Sequence, residues 1–543
     1  MEQAVLKYLK LLNIPVSKGY IEKLIASHPN NPSLLSVADT LERLGIPHVA
    51  VRVKQEDLEH IPFPYMLHFD KHGGELAFVK DQEDLKARES DFKHWNGVLL
   101  RAESTGAIVD KENHKHLSEE KFLKVTLGVF LGAVTVLLFL PSMQVLSWLY
   151  ASLLISALGG TVTGYLLLAK ELGISYRAVE AFCNTGTRAN CDRILKSEDA
   201  RLFGRITFSD AVIIYFAFQL VILGFLIPLL ESAATVLLAL AAMSLLALPV
   251  VIYSIWYQGV KAKTWCRLCL VVDGVLIIQL VLFGYMSSQG LIQPGKVDAL
   301  LLLLFGALFL ATGASVLLVK TELEKANRSR QAEVNANRIK NSPEVFLHQL
   351  QQSRRADITP FKHEIRVGNV EAPIQITMAA NLFCHPCKVG FGKISQLVAI
   401  YPEKVCITFR LLTIGRGNGQ RPAASRYLLA WWFYNIQGEN KVSARTNDLI
   451  KDWYEIMNII GFKKKYPIED KLDDQAVEEL ESKHSDWMER QKINKTPTYF
   501  INGYELPGFY SIGDLTDLVP GLAESFSLIE KNERSFTVIN YIE

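Results

Sequence analysis

Seven cysteines are spread over 543 residues, and six of them fall into close pairs. Cys384 and Cys387 stand in FCHPC directly after an apolar, strand-like stretch, Cys266 and Cys269 stand in TWCRLC at the head of an apolar run, and Cys183 and Cys191 lie eight positions apart in FCNTGTRANC. Two thiols at such spacings can make and break a disulfide, and exchange runs through thiolate attack on a neighbouring disulfide. Cys384 falls where a helix should begin, so unpaired N–H groups and the helix dipole favour its anion and make it the candidate attacking thiolate, with Cys387 resolving. Zinc would need two further Cys or His ligands nearby. His385 sits inside the motif and this part of the chain has no second C-x-x-C, so no metal is expected. A redox disulfide at Cys266 and Cys269 borders lipid and suits an acceptor dissolved in lipid, of which a quinone is the usual one. Cys183 and Cys191 lie on a hydrophilic loop able to carry electrons between the other pairs. Cys406, in the apolar KVCITFRLL, reads as a packed core thiol.

The elements that hold these cysteines follow from composition. Hydrophobic residues make up 49% and charged residues 21% of the chain, with a mean hydropathy of +0.16, which excludes a disordered chain and points to membrane spans. A net charge of +2 gives no field for a nucleic-acid partner. Six apolar runs are long enough to cross about 30 Å of hydrocarbon: 122–142, 147–169, 209–229, 232–256, 266–286 and 298–319. An even number puts both termini on one side. Residues 320–360 are charged and helix-prone, a stalk leading to a second soluble domain at 361–543, whose centre (420–490) is mostly helical before TPTYFINGYEL returns to strand. Residues 1–104 read as a small mixed domain with helices over AVLKYLKLL and SLLSVADTLERLG and strands at HVAVRV and ELAFV. No secretory signal precedes it, so its export would depend on the membrane helix that follows. Asp273, one turn into an apolar helix, costs about 2.5–3.5 kcal/mol at a helix centre and is a functional candidate; snorkelling to water or pairing with Arg267 are the alternatives.

About 110 residues after Cys384 comes Lys495-Thr496-Pro497-Thr498 before a strand. With FCHPC, this resembles the cis-proline loop and active site of thioredoxin-like domains of the DsbA-like group, with Pro497 packed on the disulfide and helices inserted between the halves. Residues 147–319 resemble the vitamin K epoxide reductase family in its bacterial fusion with a thioredoxin-like domain. The likeness rests on loop cysteines eight apart, Ser197 six residues after the second, and C-x-x-C opening a later helix. It implies a four-helix redox core in which Cys266 and Cys269 lie next to the quinone (menaquinone or ubiquinone), Cys183 and Cys191 shuttle electrons, and Ser197 supports the loop pair. It also puts Asp210 about where the family has a polar residue facing the quinone head group, although FSDA equally suits a helix N-cap. Many members carry a polar or aromatic residue where this chain has Asp273.

The first 104 residues resemble the papain-like α+β peptidase domain of exporters that cleave double-glycine leaders, through the G-I-P strand, PFPYMLH and WNGVLL. No cysteine precedes Cys183, and Gly73-Gly74-Glu75-Leu76 stands where the catalytic histidine would precede a strand. No proteolysis is expected; peptide or partner binding, or a structural appendage, remains.

The expectation is therefore a multidomain membrane protein with an inactive papain-like domain, a six-helix transmembrane bundle and a thioredoxin-like α/β domain. It would form disulfides in reduced exported proteins or peptides and pass the electrons to a quinone. A reductase or isomerase running the other way, and a peptide-export accessory that binds a leader and redox-processes one cargo, are the rivals. The chemistry puts both soluble domains and the cysteine loop outside the cytoplasmic membrane of a bacterium. Against that, the loop of 170–208 carries Lys170, Arg177, Arg188, Arg193, Lys196, Arg201 and Arg205 while the opposite loops carry almost only Lys296, so the positive-inside rule points the other way.

Overall fold

Three helices at the amino end, Glu2–Leu11, Lys18–Ala26 and Leu34–Arg43, each carry an apolar stripe, and the last two start at Ser17 and Ser33, whose hydroxyls accept the N–H of Tyr20 and Ser36. Val5, Tyr8, Ile21, Val37 and Leu41 on those stripes pack against Met66, Leu76 and Leu100 of a sheet. The sheet comprises β1 (His48–Arg52), β2 (Tyr65–Phe69), β3 (Glu75–Val79) and β4 (Trp95–Ala102), antiparallel in the order β1-β4-β2-β3. The computed structural model describes residues 1–70, 75–103, 108, 110–142, 148–174, 177–183, 191–195, 201–202, 206–230, 234–292, 299–413, 420–436, 442–468 and 475–539. They form two compact units, residues 1–121 together with 333–543, and residues 122–332.

In the second unit five helices are long and apolar enough to cross a membrane: Trp148–Glu171, Phe208–Leu226, Ala234–Lys261, Arg267–Ser288 and Ala299–Lys340. The first expected span, 122–142, falls on the helix Lys111–Ser142 and lies partly outside the described side chains. The helices at 148–171 and 208–226 approach closely because Gly160 and Gly164, four apart, leave their own face bare: a Cβ at Gly160 would overlap the Phe216 ring, and one at Gly164 would lie 2.7 Å from Ile213 Cγ1. A two-residue hairpin, β5 (Arg201–Leu202) with β6 (Ile206–Thr207), leads into the second of these helices. The helix at 234–256 contains Pro249 and passes into a wider π turn at Tyr257–Lys261.

In the carboxyl-terminal part, β7 (Ile365–Gly368), β8 (Ile374–Ala380), β9 (Val405–Leu411), β10 (Thr498–Ile501) and β11 (Tyr504–Glu505) form one sheet in the order β11-β10-β8-β9-β7. β8 and β9 run parallel, joined by the helix His385–Ile400, and β10 pairs antiparallel with β8. β8 and β9 are buried on almost every residue, which is why they read as continuous apolar runs in the sequence. The helices Gln420–Asn435, Val442–Ile456, Ile459–Lys465 and Gln475–Arg490 stand between β9 and β10.

The two ends of the chain meet within their unit around Arg43, which is only 9% exposed. Its guanidinium donates to Tyr20 Oη at 3.0 Å, lies 3.7 Å from Asp110 and 3.5 Å from Glu112, and is paired with Asp517 of the last helix. Beside it Lys404 pairs with Glu42 at 2.5 Å, and Gln396, on the helix that starts at Cys384, donates to Asp110 at 3.3 Å.

Candidate active site

β8 delivers the chain to Cys384, the residue just before the helix His385–Ile400, and Pro386 in the first turn needs no N–H partner there. Cys384 is partly exposed, and its thiol donates to the Thr496 carbonyl at 3.4 Å. Cys387, one turn deeper, is fully buried and accepts from Asn381 N at 3.5 Å; burial pushes its thiol up to about 12. The Thr496–Pro497 bond is cis and brings the head of β10 against the cysteine pair. Tyr499 fills the space next to Gly390, where a Cβ would overlap its hydroxyl. A groove of ≈ 390 Å³ runs beside this corner between Pro386, Lys393, Pro497, Leu506 and Ile512. One accessible and one buried thiol in this arrangement can attack and then resolve a mixed disulfide. Cys406 lies on β9, fully buried, with burial pushing its thiol up to about 11, a core position.

In the other unit Cys183–Cys191 and Cys266–Cys269 are both disulfides, with Cα atoms 5.7 Å and 5.3 Å apart. All four side chains belong to a single apolar cluster with Leu167, Val212, Phe216 and Val272. Arg267, between the second pair, donates to the Phe182 carbonyl next to Cys183 at 3.4 Å. The two cysteine pairs singled out in the sequence are thus packed side by side. Ser197 lies outside the described residues.

Against Cys269 lies a cavity of ≈ 220 Å³, walled by Tyr215, Tyr253, Ser254, Tyr257 and Gln258 among aliphatic side chains. Val250 and Tyr253 on its wall are 46% and 49% exposed, so it reaches the outer face of the bundle. Gln258 sits in the π turn and accepts from Cys266 N at 2.7 Å, while its amide nitrogen donates to Ser254 Oγ at 3.0 Å. Ser254 donates in turn to Asp273 Oδ2 at 2.9 Å. Asp273 is 3% exposed, so it neither reaches water nor pairs with Arg267.

Asp210 is placed otherwise than the head-group reading expects. It accepts from Thr207 N at 2.9 Å as the third residue of a capping box, and both its oxygens accept from Lys320 Nζ at 2.8 Å. Lys320 also donates to Glu171 at 3.0 Å and Thr207 at 3.3 Å. With its oxygens filled, Asp210 is a capping and ion-pairing residue, and it does not line the cavity. Ser254, Gln258 and Lys320 were not expected as part of the site. The first two stand four apart in an otherwise apolar run, a one-face polar pair that the sequence does display.

Residues 150–283 match the model of the vitamin K epoxide reductase family. Among solved structures, the chain is similar to oxidised BdbD from Bacillus subtilis (18% identity over 32% of this chain and 97% of that one, TM-score 0.25). It is also similar to the thiol-disulfide exchange protein alpha-DsbA2 from Wolbachia pipientis (17%, 34% and 96%, TM-score 0.25) and to a periplasmic thioredoxin-like protein from Salmonella enterica serovar Typhimurium (16%, 31% and 94%, TM-score 0.25). No curated protein matches the chain.

Proposed function

We propose that the chain is a membrane thiol–disulfide oxidoreductase that oxidises the thiols of exported proteins and hands the electrons to a quinone. The observation that carries the reading is the packing of both membrane disulfides in one cluster against an apolar cavity beside Cys269. With Cys384–Cys387 oxidised, a substrate thiolate attacks Cys384 to give a mixed disulfide and frees Cys387. The substrate's second thiol resolves it, leaving the substrate disulfide and a Cys384/Cys387 dithiol. In the next exchange Cys384 attacks the loop disulfide Cys183–Cys191 and Cys387 resolves that mixed disulfide. The loop dithiol then reduces Cys266–Cys269. Each exchange breaks one S–S bond and forms another, moving two electrons and two protons. The cavity suits a quinone ring: its walls are apolar and aromatic, with hydroxyl-bearing Ser254 and three tyrosines and the amide of Gln258, and it reaches the lipid face, where an isoprenoid tail could leave. A bound quinone would supply the two-electron acceptor, either menaquinone or ubiquinone. This chain's residues hold the disulfide, exclude water and manage the protons.

That residues 1–121 and 333–543 fold as one unit supports an even number of crossings, with Lys111–Ser142 as a sixth span beside the five apolar helices. We place that unit and the cysteine loop on the oxidising side. The basic loop is less of an obstacle than its charge count suggests, since Lys170 is buried and paired with Glu180 and, at 2.9 Å, with Asp192. The amino-terminal domain then serves substrate or partner binding.

The test is Cys384→Ser, assayed with reduced protein and with a small dithiol. Oxidation of the protein should fall at least 100-fold while dithiol-driven quinone reduction persists, as expected when one group in a relay is removed. Unchanged protein oxidation would sink the assignment.

A further inference from the structure

The polar groups around the cavity have a fixed direction. Cys266 N–H holds Gln258 Oε1 at 2.7 Å, so the Gln258 amide nitrogen faces Ser254 and donates at 3.0 Å. Ser254 Oγ, already accepting, turns its own hydrogen onto Asp273 Oδ2 at 2.9 Å. Asp273 Oδ1 is buried and, among the described residues, has no partner. An unpartnered carboxyl oxygen inside a helix bundle is costly and calls for a proton. Asp273 stands one turn beyond Cys269 on the face that carries Val272 and Leu276, and Ser254, Gln258 and Cys269 are themselves walls of the cavity.

We infer that Asp273, Ser254 and Gln258 form a proton relay serving the quinone site. Asp273 holds the proton; as the quinone is reduced, Ser254 turns its hydrogen from Asp273 onto the quinone oxygen beside Cys269 and takes the Asp273 proton in its place, while Gln258 holds the Ser254 oxygen at the cavity wall and ties it to the disulfide. The inference rests on the quinone reading above. In the step, Cys266 and Cys269 lose two S–H bonds and form one S–S bond, their electron pair reduces the quinone, and two O–H bonds form on the quinol. The two thiol protons released equal the two taken up, so Asp273 returns to its starting state in each turnover with no outside acid. Ser254 touches the cavity; Asp273 acts through it and Gln258 positions it.

The experiment uses full-length protein in lipid nanodiscs, as wild type, Asp273→Asn, Asp273→Glu and Ser254→Ala, with a short-chain ubiquinone and a short-chain menaquinone as probes. Three quantities are read: quinone affinity of the oxidised protein from fluorescence quenching, thiol content of the membrane cysteines after dithiol treatment, and the single-turnover rate of quinol formation in H₂O and D₂O. Asp273→Asn should bind quinone within about threefold of wild type and accept electrons fully, yet form quinol about 100-fold or more slowly, the range of a lost general acid. Asp273→Glu should recover to within about tenfold, Ser254→Ala should be slowed, and the D₂O effect should be present in wild type and altered in the variants. Wild-type quinol formation by Asp273→Asn, or a loss confined to quinone affinity, overturns the relay while leaving the quinone reading intact. A wild type that neither binds nor reduces either quinone overturns that reading and the relay with it.

Discussion

Cys384 and Cys387 differ in exposure, the difference on which their proposed roles rest: the first is partly exposed with its thiol on the Thr496 carbonyl, the second sealed in the core. What was legible was the place of Cys384 at the head of a helix after an apolar strand, which the helix His385–Ile400 bears out. The partners of Asp273, and Lys320 as the partner of Asp210, were not, since they come from other helices and a single sequence does not record which helices touch. His484 is another residue whose surroundings only the fold reveals. It is fully buried, its Nδ1 accepts from Leu411 N at 3.0 Å, and burial, with the Arg410 guanidinium adding to it, pushes it down to about 3. An unfolded histidine titrates near 6.5, so below that pH the unfolded chain binds a proton that the native one refuses. The stability contributed is fully present above about pH 6.5 and falls by about 1.4 kcal/mol per unit as pH drops toward the native value. Chemical denaturation of full-length wild type and His484→Gln between pH 7 and 5 checks this: the wild type should lose stability more steeply, and parallel slopes would count against it.

The membrane helices were legible as lengths of apolar chain, and four of the expected spans agree with the helices within a few residues at most ends. Their packing was not. Gly160 and Gly164 are a small-residue stripe whose meaning depends on Phe216 and Ile213 coming to meet it. The π turn holding Gln258 follows Pro249 by two helical turns and has no sequence signature of its own. In the other unit β8 and β9 were visible as apolar runs, whereas β2 was missed because YMLHF shows no alternation when four of its five residues are buried. Gly164→Ala, which forces a methyl against Ile213, should cost about 1–3 kcal/mol. That would lower the unfolding midpoint of the purified protein in detergent, and Gly160→Ala should do the same against Phe216. Gly159→Ala, with open space around its Cβ, is the control and should leave the midpoint unchanged.

At the scale of the whole chain, composition foretold membrane spans flanked by soluble parts, but not that residues 1–121 and 333–543 make one unit. That joining runs through charges on opposite ends of the sequence, where no periodicity exists to read. Arg43→Asp would leave Asp110 and Asp517 without their cation and set a further carboxylate among them, Glu112 keeping only Lys393 at 3.5 Å, and should destabilise the unit by about 3–5 kcal/mol. Adding Asp517→Arg should restore part of that loss, measured as a double-mutant cycle of denaturation midpoints; strict additivity would mean that the two side chains do not interact. The same contact sets a timetable for the growing polypeptide. Arg43 leaves the ribosome roughly 470 residues before Asp517, which at about 5–20 residues per second is on the order of half a minute to a minute and a half. Throughout that interval the first domain must stand with Arg43 unmatched by Asp517, and for about three quarters of it with Glu42 unmatched by Lys404, while every membrane helix is threaded after it. Nascent chains should therefore pass through a stage in which this face is open, and close it only when the last helix arrives.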